Sequence, residues 1–442
     1  MRWTVPLLFA LLSGCADLPP LEPMPRQVPP GEPSPLARKA SAPAYAPPRD
    51  DEATVLDMEK MLELLDRSPR LRAQKDMIEI ETGSVIQASY MPNPNLMVEA
   101  EMIPIDDPGL SRSRNMVRIE QRIETAGKAD ARVALANERR QTAEATYFHA
   151  RAKLMADAAR ELRAIVLVQE KIAVADRIRG LRVQLQTLSA DLNQRGRLSD
   201  QGLVDVRVAT TRARLAALDL QTEKRRRLAN LESLLGVPPG SITGCTKVGA
   251  TWLAPEQGAA TTAILSRSSE LILLDRKLSE SRADLELQKS AAWPDVTAGL
   301  GYARGSRFGG DRESFFTVFF KMPIPIIDRN QGGQMRARAG IRAATGALES
   351  AATRLLNDWD GLRRDREGLL ESRLLYSEHL VPELERGRTI AASAFAQGRT
   401  TRQDSVQAAL KLEQVNLPLL DIELKLSDNQ VDMIFLIGTR QR

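Results

Sequence analysis

The chain has 442 residues, two cysteines, two histidines and a formal net charge of +5. Two cysteines exclude a disulfide-dense scaffold, and two histidines leave almost no ligands for a histidine-based metal enzyme. No uncharged run reaches the roughly 18 residues that a transmembrane helix needs. Aromatic residues make up only 4% of the chain and charged residues 27%. A composition poor in aromatics and rich in Ala, Leu, Arg and Glu is typical of long helices that pack through heptads.

Residues 1–14 predict a lipoprotein signal peptide. Arg2 precedes an apolar segment, Val5–Leu12, that is too short to span a membrane as a mature helix. Leu12-Ser13-Gly14-Cys15 has the form of a bacterial lipobox, so Cys15 is the predicted lipid attachment site, and acyl chains add membrane affinity. Ala16 in the next position favours sorting to the outer membrane. An ordinary signal peptide with a chance cysteine is the alternative.

Residues 15–50 are interpreted as the lipidated cysteine followed by a proline-rich tether. Eleven of the 25 prolines lie in residues 19–48. Such a tract cannot form a helix and favours extended polyproline conformations. A proline-rich ligand for a partner protein is the alternative interpretation of this segment.

The remainder of the chain contains an internal repeat at a shift of about 200 residues. Pro94-Asn95-Leu96 aligns with Pro294-Asp295-Val296, and Gln194-Arg195-Gly196-Arg197 aligns with Ala396-Gln397-Gly398-Arg399. Because the matches keep their order and a nearly constant shift, we infer a duplicated unit. The first repeat spans residues 51–245 and the second spans residues 246–442.

Each repeat is predicted to contain a helix, two strands, a long helix, a turn and a returning helix. The first repeat has strands at about 95–104 and 115–124, a long helix at about 129–193, a turn at 194–199 and a helix at 200–236. The second has strands at about 294–303 and 314–322, a long helix at about 333–393, a turn at 396–401 and a helix at 403–438. Pro382 is predicted to kink the second long helix.

A heptad pattern runs along the first long helix. Leu167, Val174, Leu181 and Leu188 are spaced by seven, and Ile178, Leu185 and Leu192 supply the companion position. At 1.5 Å per residue this helix would be roughly 96 Å long. Paired helical hairpins from several chains could enclose a hollow tunnel, and a soluble coiled-coil rod is the alternative.

The predicted strands alternate with a period of two, which is typical of strands that expose two different faces. In the first repeat one face is charged, and its residues are interpreted as lining a water-filled channel rather than as catalytic carboxylates. These residues are Glu99, Glu101, Arg118, Glu120 and Arg122. In the second repeat, residues 293–320 hold seven of the 18 aromatic residues. Aromatic-rich strands of about 9–11 residues are typical of transmembrane β-barrels. Soluble hairpins packed on a helix bundle are the alternative.

Four strands from one chain cannot close a barrel, because the backbone groups at the open edges would be unpaired in lipid. Three chains would supply twelve strands, an even number within the observed range. The sequence therefore predicts a mainly helical protein with a small β part, in which several copies share one transmembrane barrel.

These features resemble the outer-membrane factor family, the TolC-like exit ducts of tripartite efflux pumps and type I secretion. The resemblance covers about residues 55–440 and includes the turns that contain Gly196 and Gly398. Pro92-Asn93-Pro94, the stretch at 123–128 and the stretch at 323–332 are similar to the subgroup paired with heavy-metal-cation efflux pumps.

The resemblance implies a homotrimer with a shared 12-stranded β-barrel in the outer membrane and a long-helix α-barrel in the periplasm. It also implies a periplasmic adaptor (membrane fusion protein) and an inner-membrane RND-type transporter that supplies the energy. The chain itself would be a passive duct, with heavy-metal cations as the favoured cargo. Organic compounds or a secreted protein remain open as cargo.

The resemblance further implies roles for residues at the periplasmic tip. The adaptor would dock on Gly196, Arg197, Leu198, Gly398, Arg399 and Thr400. Asp404 would line the closed entrance, whereas Gly202 and Gln407 occupy positions where family members have Asp. Asp404 also fits a helix N-terminal carboxylate that the helix dipole favours, and both roles can hold.

The sequence contains little support for other functional classes. The G-x-x-x-x-G-K-[ST] loop of ATPases is absent, and we expect no enzyme activity, no cofactor and no resident metal. Basic residues are interspersed with acidic ones and lack an aromatic platform, which argues against nucleic acid as a partner. A lipid-anchored periplasmic coiled coil without a pore is the competing interpretation.

Overall fold

The computed structural model describes residues 54–101, 103, 105, 113–246, 261–305 and 313–438. The predicted signal peptide and the whole of the predicted tether with Cys15, residues 1–50, lie outside these residues. The described part is mainly helical, with four longer strands and two short ones.

The first half of the described chain contains four strands and four helices. In chain order they are β1 (Thr54–Leu56), α1 (Met58–Asp66), α2 (Pro69–Ser89), β2 (Asn95–Glu101), β3 (Arg114–Ile123), α3 (Lys128–Gln194), α4 (Asp200–Leu235) and β4 (Ile242–Cys245). The long helix α3 has 67 residues, which at 1.5 Å per residue gives about 100 Å.

The second half repeats this plan with one interruption. Its elements are α5 (Thr261–Arg267), α6 (Ser269–Ser290), β5 (Val296–Gly305), β6 (Glu313–Lys321), α7 (Gln331–Leu374), a π-helical segment (Leu375–Leu380), α8 (Val381–Ala396) and α9 (Arg402–Ile437).

The π-helical segment was not predicted; the sequence indicated a single helix at about 333–393 with a kink at Pro382. It lies directly before Pro382, which occupies the first turn of α8. Proline lacks a backbone N–H, and its ring crowds the carbonyl four residues earlier. The wider π turn relieves that crowding, so the proline follows a local change of helix type within one long rod.

The helices pack side by side in a fixed order. Near the four longer strands the order is α2, α3, α6, α7, and farther from them it is α4, α3, α9, α8. Helices α2 and α4 therefore lie at one end of the order, and α7 and α8 lie at the other. None of the described helices combines the length and the apolar composition needed to cross a membrane.

The predicted heptad positions form the core between α3 and α9. Val174, Ile178 and Leu185 are buried together with Val406 and Leu410, and Leu181 and Leu188 pack against them. Apolar burial along this seam holds the two long helices together, since burying a Leu or Val side chain stabilises by about 1.5–3 kcal/mol.

A second core forms where α1 and the end of α4 meet the middle of α3. Met61, Leu65, Leu162, Ile165 and Leu231 are fully buried there. Strands β1 and β4 pair in parallel above this core, with Leu56 opposite Cys245. The sequence analysis did not identify this two-stranded sheet, because a three-residue strand leaves no periodic pattern.

Candidate functional site

The four longer strands form one antiparallel sheet in the order β2-β3-β5-β6. The register aligns Val98, Val117, Tyr302 and Phe316 in one row across the sheet. A second row contains Leu96, Ile119, Leu300 and Val318. Both rows share one face, which we call the apolar face.

The apolar face is exposed to an unusual degree for such large side chains. Phe316 is 87% exposed, Phe320 76%, Val98 72% and Leu96 70%. An apolar surface of this kind is typical of contact with a membrane or another protein. It is the surface that a lipid-facing barrel wall requires.

The opposite face of the same sheet is charged. It carries all five residues that the sequence analysis assigned to a channel lining, Glu99, Glu101, Arg118, Glu120 and Arg122. Two ion pairs cross from β2 to β3: Arg118 to Glu99 at 3.2 Å and Arg114 to Glu101 at 3.4 Å. The five residues thus lie together on the side away from the apolar face.

Glycines of β5 make room for long side chains on this charged face. A β-carbon at Gly301 would lie 3.1 Å from Cγ of Arg118, and one at Gly299 would collide with the ring of Phe319. The guanidinium of Arg118 also lies 5.9 Å from the centre of that ring. Because Gly299 and Gly301 have no side chains, the Phe319 ring and the Arg118 side chain can lie across strand β5.

The junction between sheet and helices is held by polar contacts that the sequence analysis missed. Lys128 at the start of α3 forms a 2.5 Å ion pair with Asp295, just before β5. Arg132 donates to Glu124 at 2.5 Å and to the carbonyl of Ala88 at 3.0 Å. Two short motifs contain some of these residues, the repeated Pro-Asn/Asp at 94–95 and 294–295 and the stretch at 123–128, but neither is long enough to reveal partners.

The two turns at the far end of the helices have the same backbone geometry. Gly196 and Gly398 adopt left-handed conformations, with φ of 66° and 72°. In the first turn, the Arg197 N–H donates to the carbonyl of Leu192 at 2.8 Å, and in the second, the Arg399 N–H donates to that of Ala394 at 2.8 Å. Each turn is a Schellman motif, which explains why glycine occupies both positions.

The predicted tip residues surround these two glycines. Arg197 and Arg399 are exposed, whereas Leu198 and Thr400 are half-buried. The carbonyl of Leu198 accepts a 3.0 Å hydrogen bond from the side chain of Asn193. The tips therefore present an arginine next to a rigid turn in each half of the chain.

Asp404 closes the second turn with a capping box. Its Oδ2 accepts hydrogen bonds from the hydroxyls of Thr401 at 2.6 Å and Thr400 at 2.9 Å, and from the Thr401 N–H at 3.2 Å. These donors, led by the Thr401 hydroxyl, hold the pKa of Asp404 below its ordinary value. Asp404 lies in the first turn of α9, the N-terminal position considered for it, and there it also forms a capping box with Thr401.

The first turn lacks this carboxylate because Gly202 occupies the equivalent position. There, Ser199 accepts a 3.1 Å hydrogen bond from the Gly202 N–H, and Asn193 bridges to Asp200 at 2.9 Å. The two tips thus share a backbone but differ in charge. Within the described ranges, no group of three or more His, Cys, Asp or Glu side chains could hold a metal ion.

No protein-family model matches the chain. A sequence relative is the cobalt-zinc-cadmium resistance protein CzcC of Cupriavidus metallidurans, 25% identical over 370 residues, covering 80% of this chain and 82% of the relative. Among solved structures, CusC, described in terms of transmembrane channel formation, superimposes with a TM-score of 0.72 at 14% identity, covering 90% of this chain and 99% of CusC. The chain has the TolC-like outer-membrane channel fold.

The outer membrane protein VceC of Vibrio cholerae gives a similar match. Its TM-score is 0.67 at 15% identity, covering 86% of this chain and 96% of VceC. These comparisons confirm the resemblance to the outer-membrane factor family, which the sequence indicated through its repeat and turns. They also confirm the metal-efflux subgroup, which the stretches at 92–94, 123–128 and 323–332 indicated.

Proposed function

We propose that this chain is the outer-membrane channel subunit of a tripartite efflux pump, a passive exit duct from periplasm to exterior. The observation that carries the proposal is the four-stranded sheet with one exposed apolar face, one charged face and two open edges. A wall of this kind separates lipid from water only when it closes into a barrel.

Closure requires additional copies of the chain. Strand β2 pairs only with β3 in the described sheet, and β6 pairs only with β5, so each edge has backbone groups available for a partner. Pairing β6 of one copy with β2 of the next, three times over, gives a homotrimer with twelve strands. Helices α2 and α4 lie on the same side of the chain as β2, and α7 and α8 lie on the same side as β6. Helices α7 and α8 of one copy would therefore meet α2 and α4 of the next.

In this assembly the charged face lines the lumen. Glu99, Glu101 and Glu120 with Arg118 and Arg122 would surround a water-filled passage of mixed charge. The chain performs no chemistry in this role. The energy would come from an inner-membrane RND-type transporter, linked to the duct by a periplasmic adaptor.

The adaptor would dock on the two tip turns. Gly196, Arg197 and Leu198 form one docking site, and Gly398, Arg399 and Thr400 form the other. Both turns combine a rigid Schellman backbone with an exposed arginine, a geometry suited to a helical hairpin of a partner. Asp404, repeated three times around the axis, would form a ring of negative charge at the entrance.

Heavy-metal cations are the favoured cargo, because the relative CzcC is named for resistance to cobalt, zinc and cadmium. Cys15 would carry the lipid that adds an anchor in the outer membrane. The proposed cargo also follows from the motif similarity to the metal-efflux subgroup, and the proposed anchor follows from the lipobox.

The test is a metal-efflux assay in the native host. Deleting the gene should lower the tolerated concentrations of cobalt, zinc or cadmium salts and raise their intracellular content, and the intact gene should restore both. Parallel tests with dyes and detergents identify an organic cargo instead. An unchanged response to metals and organic compounds, with the protein absent from outer-membrane fractions, would overturn the proposal.

A further inference from the structure

The two helices that end the packing order near the sheet, α2 and α7, carry exposed charges that form no ion pair with any other described residue. On α7, Arg338, Arg342 and Glu349 are exposed, and on α2, Arg72, Asp76 and Glu79 are exposed. Among the described residues, no ion pair within 4.0 Å involves any of these six side chains. Exposed like-signed groups at i and i+4, such as Arg338 and Arg342, repel each other unless something neutralises them.

These charges point away from each helix's own neighbour. On α7 the buried side contains Ala337, Ala351 and Leu355, and at 100° per residue Arg338 and Arg342 lie roughly 110–150° around from it. A groove of about 460 Å³ runs along this outer side, lined by Arg329, Gln331, Gln334, Met335, Arg338 and Arg342.

The acidic side of α2 is arranged in the same way. Its buried side contains Leu71 and Ala88, and Glu79 and Asp76 lie roughly 130–170° around from it. The outer side of α2 therefore carries acidic residues nearer the sheet and basic residues, Lys75 and Arg72, farther from it, and the outer side of α7 carries the reverse order of signs.

Contacts at the junction between sheet and helices show how far below the sheet the charged residues of α2 and α7 lie. Ala88 of α2 is level with Arg132, four residues into α3, and Asn330, just before α7, is level with Gln288 near the end of α6. At 1.5 Å per residue, Glu79 and Arg342 both lie roughly 20 Å below the sheet, and Arg72 and Glu349 both lie roughly 30 Å below it.

We propose that α2 of one copy and α7 of the next form a charge-matched seam. Glu79 faces Arg342, and farther down Arg72 faces Glu349. The partner is a second copy of this chain, because the order of signs along one edge is complementary to that along the other, and because the open strands β2 and β6 lie on the same two sides.

The seam rests on the shared barrel of the proposed function and adds a device that selects the correct neighbour. Complementary charges at matched heights favour one register and penalise a slipped one, since like charges would then meet. The seam deepens the proposed assembly by naming the side chains that align one copy on the next.

Charge reversal with rescue tests the seam in the full-length protein. Arg342→Glu should lower the fraction of trimers that survive in mild detergent by roughly two- to five-fold, the range for one exposed ion pair. The double variant Arg342→Glu with Glu79→Arg should restore it. Arg336→Glu is the matched control, because Arg336 lies on the same helix but on a different side, and it should leave the trimer fraction unchanged.

The outcomes separate the seam from the proposed function. If the wild type is a trimer but Glu79→Arg does not restore the trimer fraction of Arg342→Glu, the seam is overturned and the shared barrel stands. The same holds if Arg336→Glu lowers the trimer fraction as much as Arg342→Glu does. A wild-type protein that is monomeric in outer membranes would overturn both. Cysteine cross-linking gives an independent test. A short bismaleimide should link two copies of the variant with Glu79→Cys and Arg342→Cys, but not two copies of the variant with Glu79→Cys and Arg336→Cys. Equal cross-linking of the two variants would count against the seam.

Discussion

The carboxylate of Asp404 accepts a 2.6 Å hydrogen bond from the hydroxyl of Thr401 at the start of α9. In return, the Thr401 hydroxyl accepts from the Asp404 N–H at 3.2 Å. Because these contacts lower the pKa of Asp404, the carboxylate is ionised at periplasmic pH. Its contribution to the helix start is present above the unfolded pKa near 3.8 and is lost as the pH falls through the lower folded value.

Capping and gating by Asp404 are separable by mutation. Thr401→Ala removes the cap and should cost about 0.5–2 kcal/mol of helix stability, but it leaves three charges at the proposed entrance. Asp404→Asn weakens the cap and also removes those charges. We expect Asp404→Asn to alter cation selectivity in planar bilayers and Thr401→Ala to leave it unchanged. Equal effects of the two variants would show that Asp404 acts only as a cap.

The tip glycine Gly398 should tolerate a small side chain better than a large one, because only a large one would obstruct a docking partner. A β-carbon there would meet nothing within 4 Å, so alanine adds only the left-handed backbone cost of about 1–2 kcal/mol. Gly398→Leu adds the same cost and also obstructs a docking partner.

We therefore expect Gly398→Leu to lower metal resistance more than Gly398→Ala does, at equal outer-membrane abundance. Gly387→Leu is the control, because Gly387 is an exposed helical glycine with open space around it. Resistance that is unaffected by Gly398→Leu would remove this turn from the proposed adaptor docking site.

Adjacent residues of β6 should respond in opposite ways to the same substitution. Phe316 lies on the apolar face and Thr317 on the charged face. An arginine facing lipid near the bilayer midplane costs about 2–4 kcal/mol. Phe316→Arg should thus reduce the amount of folded protein in the outer membrane, whereas Thr317→Arg should assemble normally. Equal assembly of both variants would indicate that the apolar face does not contact lipid.

Cys245 offers a probe of the small parallel sheet. The residue is 4% exposed, and burial raises the pKa of its thiol to about 12, against a smaller opposing effect of Lys224. Because the thiolate is the reactive form, Cys245 should resist maleimide at pH 8 in the folded protein and react fully in denaturant. Rapid labelling under native conditions would show that β4 opens readily.

Periodic features were the ones that the sequence predicted well. The heptad at Val174, Ile178 and Leu185 forms the α3–α9 core, because a seven-residue spacing keeps side chains on one helical side. The alternation around Glu99 and Arg118 placed both on one sheet face. Repetition also revealed Gly196 and Gly398, since a left-handed turn position strongly favours glycine.

Features that depend on distant contacts were not predicted. The ion pair between Lys128 and Asp295 joins residues 167 positions apart, and the short motifs that contain them do not identify them as partners. The π-helical segment before Pro382 and the parallel pairing of β1 with β4 depend on their surroundings. The position of Asp404 at a helix N-terminus was predicted from the favourable helix dipole, but its capping box with Thr401 was not predicted.

The number of chains in the outer-membrane assembly tests the shared barrel most directly. Native mass spectrometry of the full-length protein, extracted from outer membranes in mild detergent, should give a complex of three chains. A species of one chain, carrying its four strands as a separate unit in detergent or in water, would contradict a barrel built from neighbouring copies.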